Sequence, residues 1–593
     1  MTPTELARVP WQVTGNHWIA LPCVHPADGA VHAVGVLHRG ARSAVEFAGG
    51  PDFLSGNAPP LLRPVITVNG TPRALVSEGV VWERALHWLP TFTAKIDQLI
   101  VRGTVFAPYG RDADIAGFAY AIAIENRSGE AAGVTLALDG TLGHRQVRVR
   151  TAAPFDDAHR AVEVEPGVVI LEGSALPGLI SLAVASDEIA DVKLGEPGSG
   201  RFTLSRRLEV PAGGRVDVAF YVAAGPERDG ARATVAVMRR RGWRDLLAVT
   251  RAALQSLELS SGHEPIDSLI NRHVLFSYFY SVGRALDDAH YYLVRSRVPW
   301  SPIGVTVRDW EALCWTLPVI QLADIGLARE LLLRMCEVHG YAPGRGVHYF
   351  DGTLFEPGFT LEGAAAYAVA VDRYIRDSED DQIVEEHAIA DALYASSDDI
   401  AQRRDAAHPL YTTEVTPSGR PAALPFTLHG NAMVAAALDV LRRTLDEETA
   451  KNVEDPAAVR AALRRHFVTD ADGKGTFAHA VDLKGRTILE DEAEASALWL
   501  PMWDAVERTD SVYRRTAKRI GAPRAHLAQE TARVIGPDGI SALDWLRRAP
   551  LDLGFAASAV DTDGRGVGGG GDAALSGLVA YAAWYAVHVA GVR

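Results

Sequence analysis

Arg308 and Asp309 open a run of apolar residues, and Trp300, Trp310 and Trp315 stand close by in the segment Ser296 to Gly340. An aromatic face packs on a sugar ring while charged neighbours bond its hydroxyls, so Trp300, Arg308, Asp309 and Trp310 are candidate carbohydrate contacts. Asp309 has a second, purely structural reading as a helix cap, because unpaired amides and the helix dipole favour an acid there. Tyr349, Asp351 and His429 extend the set of candidate binding residues. Asp491 and Glu492, with Glu494, sit just before the apolar run Ala495 to Met502. Adjacent carboxylates push one another's pKa upward, which marks a candidate site; a charged first helical turn is the competing reading.

Near the C-terminus Asp561, Asp563 and Asp572 precede an apolar stretch, with Gly568 to Gly571 between them. Such a glycine run lets backbone approach a ligand closely, and Asp572 is then either a base or a helix cap. No Gly-Lys-Ser/Thr follows a strand there, so a phosphate loop is not indicated. His339, His348 and His429 lack metal-ligand spacing, and Cys23, Cys314 and Cys336 are isolated and odd in number. No metal, no cofactor and no disulfide framework is expected, and a reducing, cytoplasmic compartment is the default.

These residues need elements to position them. Of 593 residues 48% are apolar and 22% charged, which suits large buried cores, and the formal net charge of -15 disfavours a nucleic-acid partner. No membrane partner is expected, since no basic-plus-apolar leader opens the chain and no run of 18 apolar residues occurs. From Trp11 to Ala224 short alternating runs end at Gly, Asn and Asp: Val65 to Val68 before Asn69-Gly70, Phe118 to Ile124, Val134 to Leu138 before Asp139-Gly140, Gln146 to Arg150, and Val216 to Val222. This predicts strands and hairpins of an antiparallel β-sandwich over residues 1–225. A linker helix region follows at 226–262. Over 263–593 helical spacing dominates, at Ile266 to Ala285, Trp310 to Leu322, Ile325 to Gly340, Thr360 to Asp377, Ala432 to Leu445, Pro456 to Phe467 and Leu575 to Val592. A toroid of helical hairpins or a plain helical repeat array would each produce that order.

The segment around Arg308-Asp309, then Val347 to Asp377, Thr412 to Leu441 and Leu489 to Ile520, resembles in order the six-hairpin glycoside hydrolases: debranching-type glucosidase domains, trehalases and metal-independent exo-α-mannosidases. The resemblance implies a β-sandwich followed by an (α/α)6 barrel that lines its glycone subsite with the Arg-Asp pair, and it puts Glu362 at the head of the next inner helix. Inverting enzymes need a protonated carboxyl at the leaving oxygen and a carboxylate about 6.5–9.5 Å away that activates water. The resembled enzymes take the acid from a mid-domain loop and the base from a segment before the last helix. On this sequence that implies Glu414, with Glu362 as alternative, for the acid, and Asp572 for the base. Two departures stand out: Arg420 lies in the loop where related sequences carry an Asp, and Ser558 where they often carry a Glu.

The leading expectation is an exo-acting, inverting glycoside hydrolase with a carbohydrate substrate. A polysaccharide lyase using Tyr291, Tyr292, His348 or Tyr349, and a non-catalytic sugar-binding paralogue, are the alternatives. Oligomeric state is open, a homodimer included. The first test is Asp309→Asn, expected to abolish activity and leave the melting temperature within a few degrees; equal loss of folding would make Asp309 structural.

Overall fold

The computed structural model describes residues 9–591 apart from 74, 76–78, 149–157, 176–177, 302, 471–472, 474, 522–525, 552–553, 568–570 and 590. Two compact units form. One comprises the chain up to Glu258 with Val282–Tyr291 and Arg297–Val305; the other comprises Leu259–Ser281, Tyr292–Ser296 and the chain from Thr306 onward.

The first unit is built on antiparallel sheets. An eight-stranded sheet has Arg215–Gly225 and Gly117–Asn126 as central neighbours, and two five-stranded sheets hold Leu62–Val68 and Ala132–Thr141 in one and Ala20–Val24 and Ala33–His38 in the other. Leu62–Val68 shows the cause: Leu62, Pro64, Ile66 and Val68 are buried while the residues between them are not, the two-residue period of a half-buried strand. These inward faces meet in one core that includes Phe92, Tyr120, Ile122, Leu136, Leu182 and Phe220. Asn69 and Gly70, both left-handed at φ 48° and 79°, make the tight turn into Thr71–Arg73. Asp139-Gly140 is different. The strand runs through it to Thr141, and glycine stands there because the Phe202 ring occupies the position of a Cβ, 1.8 Å away. The strand expected at Gln146 to Arg150 is His144–Arg148, its last two expected residues lying outside the described ones. The linker region holds two helices, α1 (Arg228–Arg241) and α2 (Trp243–Ser256), divided at Gly242 with φ 81°.

The second unit is helical. Its elements are α3 (Glu264–Tyr280); α4 (Asp309–Glu311), a π-helical stretch (Ala312–Thr316) and α5 (Leu317–Ala323) in unbroken succession; α6 (Ile325–His339); α7 (Leu361–Ser378); α8 (His387–Ala401); and α9 (Leu428–Thr444). There follow α10 (Pro456–Phe467), a 3-10 helix (Ala497–Trp503), α11 (Ser511–Ile520), α12 (Leu527–Ile535), α13 (Gly539–Arg548) and α14 (Ala573–His588). Packing neighbours form a closed circuit: α3, α5, α7, α9, the 3-10 helix, α12, α14 and back to α3. Against this circuit pack α6 on α5, α8 on α7, α10 on α9, α11 on the 3-10 helix and α13 on α12. In the circuit α14 buries an unbroken run from Ala573 to Ala583, as a helix surrounded on all sides must. Among the described residues no helix is long and apolar enough to cross a membrane.

Side chains start these helices. Thr360 accepts from the Gly363 amide (3.2 Å), Asp324 from Leu327 (3.0 Å) and Asp572 from Leu575 (3.1 Å), each satisfying an amide without an intrahelical partner. Four helices lay outside the expected set: α11, α12 and α13, which are only nine or ten residues long, and the fifteen-residue α8.

Gly577 lets α14 lie against the π-helical stretch. A Cβ there would meet the Trp315 carbonyl oxygen at 2.6 Å and Ser277 Oγ at 2.8 Å. Alanine gains about 1 kcal/mol in helix propensity, whereas overpacking against backbone costs about 1–3 kcal/mol. Gly577→Ala is therefore expected to lower the denaturant midpoint of this unit; an unchanged or raised midpoint would show that the two helices part easily.

Candidate functional site

A cavity of about 570 Å³ opens in the second unit, a volume suited to a small ligand. Its walls come from four stretches far apart in sequence: the loop Thr416 to Leu424, the acids Glu490, Asp491, Glu492 and Glu494, the start of α12, and Ser558 with Leu575. Arg295, Trp315 and His479 complete it. Trp315 reaches the wall from the π-helical stretch, whose widened turn alters the direction of its side chains relative to a regular helix.

Arg295 ties these stretches together. Its guanidinium bonds Glu311 Oε1 through Nη1 and Asp572 Oδ2 through Nη2 (3.0 Å), with the arginine side chain only 12% exposed and Glu311 2%. Burial opposes its charge, but Asp572, Glu311 and Glu494 together more than offset that, so its pKa lies above the ordinary arginine value. Arg308 adds a second cation to Glu311 (3.2 Å) and donates to the Pro417 carbonyl (3.2 Å), drawing the 416–424 loop down. Gly419, at φ 83°, fits over Arg308, where a Cβ would stand 3.2 Å from Nη2.

The environment sorts the acids. Burial and the neighbouring Glu311 push the Glu494 carboxyl up to about 7, against the pull of Arg295 and Arg308. Its Oε2 is buried and has no hydrogen-bond partner among the described residues. Burial also raises Asp491, which is fixed by the Ala497 amide (3.0 Å) and Gln529 Nε2 (2.9 Å). Glu492 accepts from Ser418 Oγ (2.6 Å) and lies 3.8 Å from His479 Nε2.

A buried layer lies outside the cavity lining. Asp309 accepts from the Tyr367 hydroxyl (2.9 Å) and the Gly344 amide (2.8 Å), and burial, only partly countered by those two bonds, pushes it up to about 7. Trp503 Nε1 donates to His429 Nε2 (3.1 Å); indole nitrogen is a donor only, so the His429 proton resides on Nδ1 and points at Glu362 Oε1, 3.1 Å away. The Trp310 ring meets His429 edge-on at 5.2 Å and Trp315 at 5.8 Å.

Of the residues expected from sequence, Asp491 and Glu492 line the cavity, and Arg308 clamps its loop from behind. Asp309, Trp310, Glu362 and His429 share the buried layer. Asp572 caps α14 and holds Arg295 without lining the cavity. Glu414, with its side chain 53% exposed, bonds Arg403 Nη1 (2.7 Å) and the Phe359 amide (3.1 Å) away from it. Tyr349 packs on Phe355, and Asp351 holds the Thr353 amide (3.0 Å) in its own turn; neither lines the cavity. Trp300 belongs to the first unit, and the Gly568–Gly570 part of the glycine run lies outside the described residues. Sequence reasoning passed over Arg295, Glu311 and the start of α12. Glu311 alone carried a signal, an acid two residues after Asp309 within an apolar helix. Among the described residues no group of three His, Cys, Asp or Glu could hold a metal.

In sequence and in fold the chain is similar to the six-hairpin glycoside hydrolases. The family model of the metal-independent alpha-mannosidases (GH125) matches residues 400–526, which carry Ser418, Arg420, His479 and the four cavity acids. A bacterial glucoamylase solved with acarbose superposes with a TM-score of 0.66 at 10% identity, over 98% of this chain and 94% of that one. A protein described as a kojibiose phosphorylase from the human microbiome does so at 0.62 and 11%, over 99% and 87%. At these identities the two structures share the fold. No curated protein matches the sequence.

The Asp309 carboxyl makes stability depend on pH. The folded state keeps its proton up to about pH 7, whereas the unfolded chain releases it near pH 4, so stability falls as pH rises between those values. Asn mimics the protonated acid, so the melting temperature of Asp309→Asn is expected to gain on the parent between pH 5 and pH 8, by about 2 kcal/mol in stability. A gap that stays flat or closes across that range would mean Asp309 is ionised in the fold.

Proposed function

We propose that the second unit cleaves glycosidic bonds of a carbohydrate held in the 570 Å³ cavity, with Glu494 as proton donor. The observation that carries this is a cavity-lining carboxyl raised to about 7 with a buried oxygen that nothing else engages. A general acid must hold its proton at the working pH and release it in the transition state, and a pKa near neutrality serves both needs. Glu492, held by the Ser418 hydroxyl, is the carboxylate of the same cavity available to take a proton from the incoming nucleophile. Asp491, locked by an amide and by Gln529, is a sugar contact rather than a proton carrier.

Exo-acting hydrolysis with inversion is the form of this reaction that the family resemblance supports. The closed helix circuit favours an (α/α)6 toroid over 263–593, and the stacked antiparallel sheets with one core favour a β-sandwich over 1–225. The three cysteines are buried and form no disulfide among the described residues, which fits a reducing, cytoplasmic setting. Tyr291, Tyr292, His348 and Tyr349, the bases on which the lyase alternative rests, do not line the cavity, which disfavours that alternative.

A panel of p-nitrophenyl α- and β-glycosides, pyranose and furanose, tests the reading. Release from one member is expected, falling above about pH 7 as Glu494 loses its proton. On a disaccharide, whose leaving alkoxide needs a proton as p-nitrophenolate does not, Glu494→Gln should cost roughly 10²- to 10⁴-fold in rate, while Glu414→Gln keeps the parent rate. A Glu494→Gln variant as fast as the parent would remove Glu494 from the chemistry.

A further inference from the structure

The cavity carries a set of anion-seeking groups beside its acids. Arg420 lines it and, among the described residues, makes no ion pair, although four carboxylates line the same space. His526 and Ser558 also line it and are neighbours: the backbone bridges His526 to Ala559, and the Leu527 amide donates to the Ser558 carbonyl at 3.4 Å. The His526 side chain stands at the cap of nine-residue α12 without capping it, so it is free to face a ligand. Ala528 and Gln529, in the first turn of that helix, continue the wall, where unpaired amides carry partial positive charge. Independently, Trp315, 1% exposed and part of the wall, has an indole N–H with no acceptor among the described residues.

The second, water-activating carboxylate expected on the segment before the last helix is absent from this wall. Asp561, Asp563 and Asp572 do not line the cavity, and among the described residues of that segment the one that does is Ser558. Arg420 likewise stands in the loop where an acid was expected. At these two positions a guanidinium and a hydroxyl can receive an oxyanion, where carboxylates would repel one.

We propose that inorganic phosphate, held by Arg420, His526 and Ser558, is the nucleophile in place of water, so that the unit is a glycoside phosphorylase. The inference rests on the reading that this cavity cleaves glycosides with Glu494 as donor. An oxygen lone pair of hydrogen phosphate forms the new bond to the anomeric carbon as the bond to the leaving oxygen breaks. The leaving oxygen keeps that electron pair and takes the Glu494 proton. The glycosyl hydrogen phosphate then returns its own proton to Glu494 through solvent; nothing is oxidised or reduced. The same oxyanion contacts could instead serve a carboxylate carried by the sugar, and the test separates the two sources.

The full-length protein is incubated with α- and β-linked glucose and mannose disaccharides and the matching glycuronides, with and without inorganic phosphate, and products are read by phosphorus NMR. Cleavage of a neutral disaccharide that requires phosphate and yields glycosyl phosphate in step with free sugar is expected. Arg420→Ala and His526→Ala should raise the KM for phosphate roughly ten- to a hundredfold with little change in kcat, and Arg420→Lys should recover part of the loss. Both residues are exposed, so the variants keep the fold. Free sugar released at equal rates with and without phosphate overturns the inference and leaves glycoside cleavage standing. Phosphate-independent cleavage of glycuronides alone, lost in Arg420→Ala, assigns the cation to a sugar carboxylate and also overturns it. No cleavage in either buffer overturns the inference together with the reading on which it rests.

Discussion

The second unit depends on the charge buried at Arg295. A guanidinium withdrawn from water is tolerated only when carboxylates compensate it, and removal of one partner leaves a charge that the surroundings cannot solvate. Glu311 comes from the head of the π-helical rod and Asp572 from the cap of the last helix, so the pairing sets the relative position of two elements that bound the cavity. Arg308, sharing Glu311, extends the same network to the carbonyl of Pro417 and so to the loop bearing Ser418 and Arg420. Misplacing any of these elements would break a bond that the buried cation requires.

That network also explains why three acids close in sequence behave differently. Glu494 stands near Glu311, whose charge is already committed to two arginines, and it has no hydrogen-bond donor for its buried oxygen, so it keeps a proton to about pH 7. Asp491 is immobilised by donors on both oxygens, and Glu492 rests on the Ser418 hydroxyl. Position along the chain does not separate these roles; the donors and charges around each carboxyl do. The deeper layer follows the same logic: Asp309 and the Glu362–His429–Trp503 chain are buried, and their hydrogen bonds are made to other protein groups.

The similarity to glucoamylase and kojibiose phosphorylase folds shows how little the scaffold restricts the reaction. A circuit of helices presents loops at its rim, and in such folds the groups on the loops, not the scaffold, set the chemistry. In this chain Arg420 and Ser558 stand on two such loops, and both line the cavity.

The amino-acid sequence by itself determined most of the strands and the longer helices, though not α8, α11, α12 or α13. Two-residue alternation over Leu62–Val68, the Asn69-Gly70 turn, the apolar helix Ala573–His588 and the caps at Thr360 and Asp572 all arise from interactions within a few residues, which sequence spacing records directly. The acid cluster at 491–494 was visible for the same reason. Tertiary structure alone decided the rest. Gly140 is set by a ring on the adjacent strand rather than by a turn, Glu414 faces Arg403 rather than the cavity, and Arg295 finds Asp572 across 277 residues of chain. The cavity is made of such long-range meetings. Packing of the whole helix circuit fixes them, and no local spacing carries a record of which distant side chains share a buried charge.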